Sequence, residues 1–364
     1  MKINLDIANN LKTFRKKAGL SRRALAEKIS YSEKSIEKWE SGKSVPSISV
    51  LCELARILSV TLDMLVYSPI SQIEYYLGID GGGTKTEFVL EDSLGNTVSR
   101  CVLSSSNAVD IGLDRCEAVL LEGINTVCGD IDRRKISVFA GLSGGSSGNN
   151  QALVHQILSK FGFGKYDNGS DVVNALKLAL NGDDGIAVIM GTGVIAYAQI
   201  NGERKRIGGW GYLLDSAGSG YNIGRDALES AYRYIDGRGE PTIIKNMLEK
   251  RLNKELPAVI PEIYGNGKRY IANFTPIVFE AYEKKDKVAK EILEKNMLGI
   301  AEIIKTAQRF FNDKNIPIVI CGGLSNRADI LEKILTSKLS DTANVKFLKE
   351  PMVKGAIMCA KEEN

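Results

Sequence analysis

The feature that most constrains this chain is a unit that occurs twice. Tyr75-Tyr76-Leu77-Gly78-Ile79-Asp80 is a strand-like run that meets Gly81-Gly82-Gly83-Thr84-Lys85 and returns over residues 86–90. Residues 185–190 form a second such run, which meets Gly191-Thr192-Gly193 and returns over 194–200. A turn closes each unit, at Leu94-Gly95-Asn96 and at Asn201-Gly202, so Thr84 and Thr192 stand in matching places. Glycines in a hairpin let backbone N–H groups approach a ligand closely and grip phosphate. A single GGGT reads equally well as a tight hairpin. Its recurrence predicts an internal duplication, with two phosphate-gripping hairpins facing each other across a cleft. A third glycine element follows. Residues 316–320 read as a strand running into Cys321-Gly322-Gly323-Leu324, then a helix from about Asn326 to Leu339. A Gly-Gly turn there lets an adenosine lie against the backbone, with a plain strand–helix turn as the alternative. A last strand over 345–348 precedes Pro351 and a closing helix.

The first 68 residues have a different pattern. Ile7, Leu11 and Phe14 recur at helical spacing, and Gly19 ends that helix. Ser21 and Ser32 are natural N-caps for two further short helices, the second running to Glu40 with Ile36 and Trp39 inward. Gly42 and Pro46 break the chain before a fourth stripe of Leu51, Leu54, Ala55 and Leu58. Thr61 caps a last turn carrying Leu62 and Leu65. Five short helices with a tight turn between the second and third is helix-turn-helix spacing.

Charge separates the two regions. Residues 1–68 hold 12 Lys+Arg and 7 Asp+Glu, a net of +5, while the remaining 36 basic and 37 acidic residues leave a net of −1. The basic excess suits a polyanion partner for the N-terminal region alone. No run reaches the ~18 apolar residues of a membrane span, and Met1–Asn10 lacks the apolar core of an export signal. Cys52, Cys101, Cys116, Cys128, Cys321 and Cys359 show no C-x-x-C spacing, so reduced thiols in the cytoplasm are expected rather than a metal or iron–sulfur site. With His155 as the one histidine, a mechanism needing two is nearly excluded. His155 itself reads as a helix-surface residue.

Leu20-Ser21, Leu25-Ala26-Glu27-Lys28, Ile36, Lys38-Trp39-Glu40, Gly42, Pro46, Leu54-Ala55 and Leu62-Asp63 together resemble the Cro/phage-repressor (XRE) helix-turn-helix family over residues 5–67. The resemblance implies duplex DNA as partner and Ser32–Glu40 as recognition helix. Ser32, Glu33, Lys34, Ser35 and Lys38 would then reach base edges, and Arg22, Arg23 and Lys43 would meet phosphates. It also implies a homodimer reading paired half-sites.

The remainder, about residues 74–362, resembles the N-acetylglucosamine kinase/BadF–BadG ATPase family of the actin–hexokinase superfamily. The motifs that carry this are Gly78 through Thr86, Ser106-Asn107, Gly141-Leu142-Ser143-Gly144-Gly145, Ser170-Asp171, Gly191-Thr192-Gly193, Gly208-Gly209-Trp210-Gly211, Gly218-Ser219-Gly220-Tyr221, Cys321-Gly322-Gly323 and Pro351 through Gly355-Ala356. The resemblance implies ATP and Mg²⁺ as cofactors. Asp80 would lie near Mg²⁺, and Gly82, Gly83, Thr84, Lys85, Gly191, Thr192 and Gly193 at the phosphates. Gly322 and Gly323 would meet adenosine. Asn107, Gly144, Gly145, Gly208, Gly209 and Trp210 would face a sugar or amino sugar. Asp171 stands at the family's catalytic Asp, with Ala175 and Leu176 at the family's following positions; an ordinary N-cap is the alternative for it. Three positions depart from the family pattern. Its sugar-contacting Asp aligns with Ser216, its Glu with Ala217, and a frequent Ser with Val194. The cysteines a BadF-type activator uses to bind a cluster are not in place.

The expected fold is an all-α helix-turn-helix domain joined to an α/β two-lobed actin/hexokinase-like module, a duplicated ribonuclease H-like unit. The expected division is 1–68 for the DNA-binding domain, 69–74 for a linker, 75–184 for the first lobe closed by a C-terminal helix at 352–364, and 185–351 for the second lobe. The expected function is a sequence-specific transcriptional regulator with a sugar-kinase-like sensor. The alternative is an active sugar kinase with an accessory DNA-binding domain.

Overall fold

The computed structural model describes residues 6–66, 73–145, 148–215, 218–313, 315–340 and 343–362. Most of the expected linker, the last two residues, and Ser216 and Ala217 lie outside them.

Five helices form the N-terminal domain: α1 (Ile7–Lys17), α2 (Arg22–Lys28), α3 (Glu33–Glu40), α4 (Ile48–Ile57) and α5 (Leu62–Val66). Their starts are set by side-chain caps. Ser21 Oγ accepts from the Ala24 N–H at 3.0 Å, Ser32 Oγ from Ser35 at 3.1 Å, and Thr61 Oγ1 from Met64 at 3.2 Å. Gly19 and Gly42 follow α1 and α3 at φ 67° and 70°, where an L side chain would be strained. Leu11, Leu25, Ile36, Leu54 and Leu65 are fully buried and meet in one core, so every helix contributes to it.

The first sheet has strands β1 (Tyr75–Gly81), β2 (Lys85–Asp92) and β3 (Thr97–Ser104), then short helix α6 (Ala108–Ile111), α7 (Leu113–Cys128), β4 (Ile136–Leu142), α8 (Asn150–Ser159), β5 (Lys165–Ser170) and α9 (Asp171–Leu180). The second has β6 (Gly185–Met190), β7 (Val194–Ile200), β8 (Glu203–Ile207), helices α10 (Gly220–Ile235), α11 (Ile244–Leu252), α12 (Ile260–Ala272), α13 (Thr275–Glu283) and α14 (Lys287–Gln308), then β9 (Ile318–Cys321), α15 (Ala328–Thr336), β10 (Val345–Phe347) and α16 (Val353–Lys361). The sheet orders are β3-β2-β1-β4-β5 and β8-β7-β6-β9-β10. In both, the first three strands are antiparallel and the last two add in parallel. The duplication expected from the two hairpins is thus a duplication of whole sheets.

Two helices tie the sheets together. Ala175 and Leu176 of α9 pack against Ala187 of β6 and Val319 and Cys321 of β9, while α9 itself follows directly from β5. Helix α16 returns to the first sheet, where Val353 and Ile357 bury Val89, and Ala356 and Ala360 bury Phe139. Gly78 permits that approach: a Cβ there would stand 2.6 Å from Ile357 Cγ1 and 2.8 Å from the Val353 carbonyl. The opposite face of the first sheet is covered by α7 and α8.

Three expected boundaries shift. The strand expected from 316 starts at Ile318, because Pro317 has no N–H for the ladder and only its carbonyl is used, by the Ile186 N–H at 2.8 Å. The helix expected from 326 to 339 splits. Gly322, at φ 102°, turns the chain into a 3₁₀ segment, Gly323–Arg327, and α15 follows and stops at Thr336. The last strand ends at Phe347 rather than Leu348. His155 is exposed on α8 as expected, its Nδ1 3.3 Å from Asn168 Oδ1.

Candidate functional sites

Helix α3 exposes Ser32 at its cap and Glu33, Lys34 and Lys38 along its outer face, with Ser35 half-buried. Ser32 is already engaged: its hydroxyl caps the helix and lies 2.9 Å from Ser35 Oγ. Lys43 is exposed in the following turn, and exposed Arg23 pairs with Glu27 one helical turn on. Arg22 has a different setting from the one its position suggested. Its Nε donates to Glu40 Oε2 at 2.8 Å, and Arg15 grips the same carboxylate, with Nη2 3.1 Å from Oε2. Arg15 Nη1 also donates to the Leu20 carbonyl at 2.8 Å. The Glu40 side chain is 1% exposed. Burial alone would raise its pKa, but the hydrogen bonds from Arg15 and Arg22 outweigh that and hold it below the ordinary carboxylate value. One buried carboxylate therefore fixes α3 against α1 and α2. The sequence signal was available, since Arg15 and Glu40 are charged residues that the helical spacing places on inward faces.

The second site is a cavity of about 620 Å³ between the two glycine hairpins. Gly82, Gly83, Thr84 and Lys85 line it from one side and Gly191, Thr192 and Gly193 from the other. Each hairpin is closed by one backbone bond, Gly82 N–H to Lys85 O and Gly191 N–H to Gly193 O, both 2.9 Å. The second hairpin is also braced by the start of α10, where Gly220 and Tyr221 N–H groups reach the Gly191 and Thr192 carbonyls at 2.9 and 3.1 Å.

Asp80, at the end of β1, and Asp171, at the start of α9, both line this cavity. Burial pushes Asp80 up to about 6, with the Asp171 charge adding to the effect. The Asn174 amide opposes it, donating to Asp80 Oδ1 at 2.8 Å. Burial raises Asp171 too, against hydrogen bonds from the Val172 N–H at 3.1 Å and the Ser143 hydroxyl. Asp171 is not the N-cap of α9: Ser170 takes that place with extended backbone, and Asp171 is the first helical residue. A carboxylate there gains from the helix dipole and remains aimed into the cavity. Asn174 was not singled out by the sequence. It lies three residues after Asp171, on the same helix face, and sits so close to β4 that a Cβ on Gly141 would be 2.2 Å from its Oδ1.

The remaining candidates divide. Asn107, Gly209 and Gly323 line the cavity. Asn107 caps α6, accepting from the Val109 N–H at 3.1 Å. Gly144, Gly145, Gly208, Trp210 and Gly322 do not line it. Gly144 backs onto Asn107, and Gly145 faces the Leu142 and Gly169 carbonyls. Gly322 lies against β6, where a Cβ would be 2.5 Å from the Met190 carbonyl, so its glycine serves strand packing. Trp210 is 65% exposed and stacks under the Arg206 guanidinium, 4.4 Å from the ring centre. Gly208 belongs to a turn that Asp215 holds by accepting from the Gly209 N–H at 2.7 Å. Asp215 lines the cavity itself, although it stands one place before the family's sugar-contacting position.

Known proteins with related chains complete the picture. The BadF/BadG/BcrA/BcrD ATPase family profile matches residues 77–358, and a helix-turn-helix profile matches residues 11–65. An N-acetylmuramic acid/N-acetylglucosamine kinase of Clostridium acetobutylicum is 28% identical, covering 80% of this chain and 99% of its own. An N-acetyl-D-glucosamine kinase of Dictyostelium discoideum is 29% identical, covering 74% of this chain and 91% of its own. The solved structure of a ROK-family transcriptional regulator, a homologue of the E. coli MLC protein, shares the fold. It has a TM-score of 0.53 and 15% identity, and covers 98% of this chain and 95% of its own. With that profile spanning both sheets and the cleft between them, this chain belongs to the BadF/BadG/BcrA/BcrD ATPase family and carries a helix-turn-helix domain at its N terminus.

Proposed function

We propose that this protein is a DNA-binding transcriptional regulator whose ATPase-family module binds ATP and a sugar or amino sugar and reports their presence to the DNA-binding domain. The observation that carries this reading is the geometry of α3. Lys34 and Lys38 project from a helix locked by Glu40, in the region that holds the chain's whole basic excess. Base-edge contacts belong to Ser32, Glu33, Lys34, Ser35 and Lys38. Arg23 and Lys43 serve phosphates, with Arg22 reaching them only while tethered to Glu40. The regulator acts as a homodimer on paired half-sites. Among the described residues no helix is long and apolar enough to cross a membrane. The test is fluorescence anisotropy of the full chain on DNA from upstream of its own gene. Binding whose affinity falls steeply as salt rises supports the reading, and absent or salt-independent binding contradicts it.

In the cleft, the two hairpins hold the phosphates of ATP and Gly323 lies at the adenosine. Mg²⁺ fits the donors present. Among the described residues no three carboxylates, histidines or cysteines cluster as a metal cage. Asp80 instead offers a hard oxygen, to be completed by phosphate oxygens and water, which is how Mg²⁺ is commonly held. When bound, it would neutralise phosphate charge. Asn107, Gly209 and Asp215 face the sugar.

A second reading is an active kinase, favoured by the placement of Asp171 and Asp80 in one cavity. Asp171 would take the proton of a sugar hydroxyl as that oxygen attacks the terminal phosphorus and ADP leaves. The relatives make N-acetylglucosamine and N-acetylmuramic acid the first sugars to try. An ATP-dependent phosphorylation assay over hexoses and amino sugars decides it. Turnover of any of them supports the kinase, and none leaves the sensor reading alone.

A further inference from the structure

Arg269 has no part in the roles above, yet it crosses the cleft. It stands on α12 just beyond a bend at Gly267, where φ is 68°. Its Nη2 lies 2.8 Å from Oδ2 of Asp110 on α6, so a helix of the second half of the module reaches a side chain of the first. The guanidinium also overhangs the first hairpin: a Cβ built on Gly83 would stand 2.3 Å from Nη2 and 3.1 Å from Cζ. It therefore lies against the loop through which the first hairpin faces the cavity. Lys268 lines the same cavity. Asp110 accepts a second bond, from Asn107 Nδ2 at 2.9 Å, on the side of the cavity assigned to the sugar.

The pair is built to exchange. The side chains of Arg269 and Asp110 are 38% and 43% exposed, and ion pairs in that setting hold weakly. A guanidinium presents a planar fork of donors that matches phosphate as well as carboxylate, and more negative charge wins it. We propose that Arg269 is the clamp on the terminal phosphate of a nucleoside triphosphate, and that Asp110 is the competing carboxylate that takes the guanidinium back when that phosphate is gone. The inference rests on reading the cleft as a nucleotide site. It adds the residue that tells triphosphate from diphosphate, and a polar path from that phosphate through Asp110 to Asn107.

Calorimetry of the full-length protein with ATP and with ADP, both with Mg²⁺, tests it. Arg269→Ala weakens ATP binding by about 10–100-fold, the worth of hydrogen bonds to a charged group, and leaves ADP nearly unaffected. Asp110→Asn frees the guanidinium and tightens ATP binding, by up to about fivefold for an exposed pair. The opposite signs matter, because a pair that merely held the two halves together would give both variants the same sign. Equal losses for ATP and ADP in Arg269→Ala, or weaker ATP binding in Asp110→Asn, overturn the clamp and leave the nucleotide site standing. A wild type that binds neither nucleotide removes the site and the clamp together. Arg269→Gln keeps most of the stem and gives the same comparison should the alanine variant fail to fold.

Discussion

The helical domain and the cleft of this molecule treat buried carboxylates in opposite ways. In the helical domain, Glu40 is gripped by Arg15 and Arg22, and its pKa falls despite its burial. In the cleft, Asp80 and Asp171 have neighbouring amides and hydroxyls but, among the described residues, no cation as hydrogen-bond donor, and burial raises both. A carboxylate whose charge is matched inside the chain is framework. One whose charge is left over is available to a cation, a proton or a phosphate-bound metal. The contrast teaches that similar burial can lock one surface in shape and leave another poised for ligand.

The largest effect is expected at Asp171. If the module turns over any sugar, Asp171→Asn lowers the phosphorylation rate by ~10²–10⁴-fold, the usual worth of a general base. Asn at the first helical position keeps the Val172 contact, so ATP binding by calorimetry survives. Equal rates in wild type and variant would show Asp171 to be structural.

Glu40→Ala should cost the helical domain about 3–5 kcal/mol, because it leaves the Arg15 charge buried without its partner. Urea unfolding followed by Trp39 fluorescence reads this directly. Acid acts on the same group. Its folded pKa lies below the ordinary 4.5, so its contribution is present above that value and is lost as pH falls below it. A domain whose stability is flat from pH 6 to pH 3 would contradict the pairing.

Asp80 should show the reverse sign at smaller size. Its folded pKa of about 6 exceeds the ordinary 3.8, so the folded state prefers the protonated form. The cost of its charge grows as pH rises from about 4 through 6 and persists at neutrality. Asp80→Asn therefore stabilises the protein without nucleotide at pH 7, by up to about 3 kcal/mol, while weakening Mg²⁺·ATP binding. A variant that melts earlier than wild type at pH 7 would place Asp80 with Glu40 as framework.

Much of this was legible in the sequence, for physical reasons. The glycine hairpins at 81–84 and 191–193 show themselves by composition and by recurrence between two strand-like runs, and they marked the sheet duplication. Caps at Ser21, Ser32 and Thr61 did the same for the helical domain. Less legible were residues whose role depends on a partner far along the chain. Arg269 is one of many arginines until the bend at Gly267 carries it over Gly83. Asn174 looks like any polar helix residue until β1 places Asp80 beside it. Gly322 fits a ligand-facing turn and a strand contact equally well by composition, and only the register of β9 on β6 puts it against Met190. Arg22 read as a phosphate contact because its partner, Glu40, is 18 residues away.

On the proposed function, ligands of the cleft change how the helical domain holds DNA. Lobe closure around a ligand is a discrete motion that can be passed to an attached domain. The most direct measurement is the affinity of the full-length protein for its upstream DNA at fixed salt, with and without Mg²⁺·ATP and each of a panel of sugars. At least one combination should shift the affinity by about fivefold or more, the lower range of allosteric coupling, and Gly83→Val should abolish the shift without affecting ligand-free DNA binding. An affinity that stays constant across every ligand, in a protein shown by calorimetry to bind them, would contradict it.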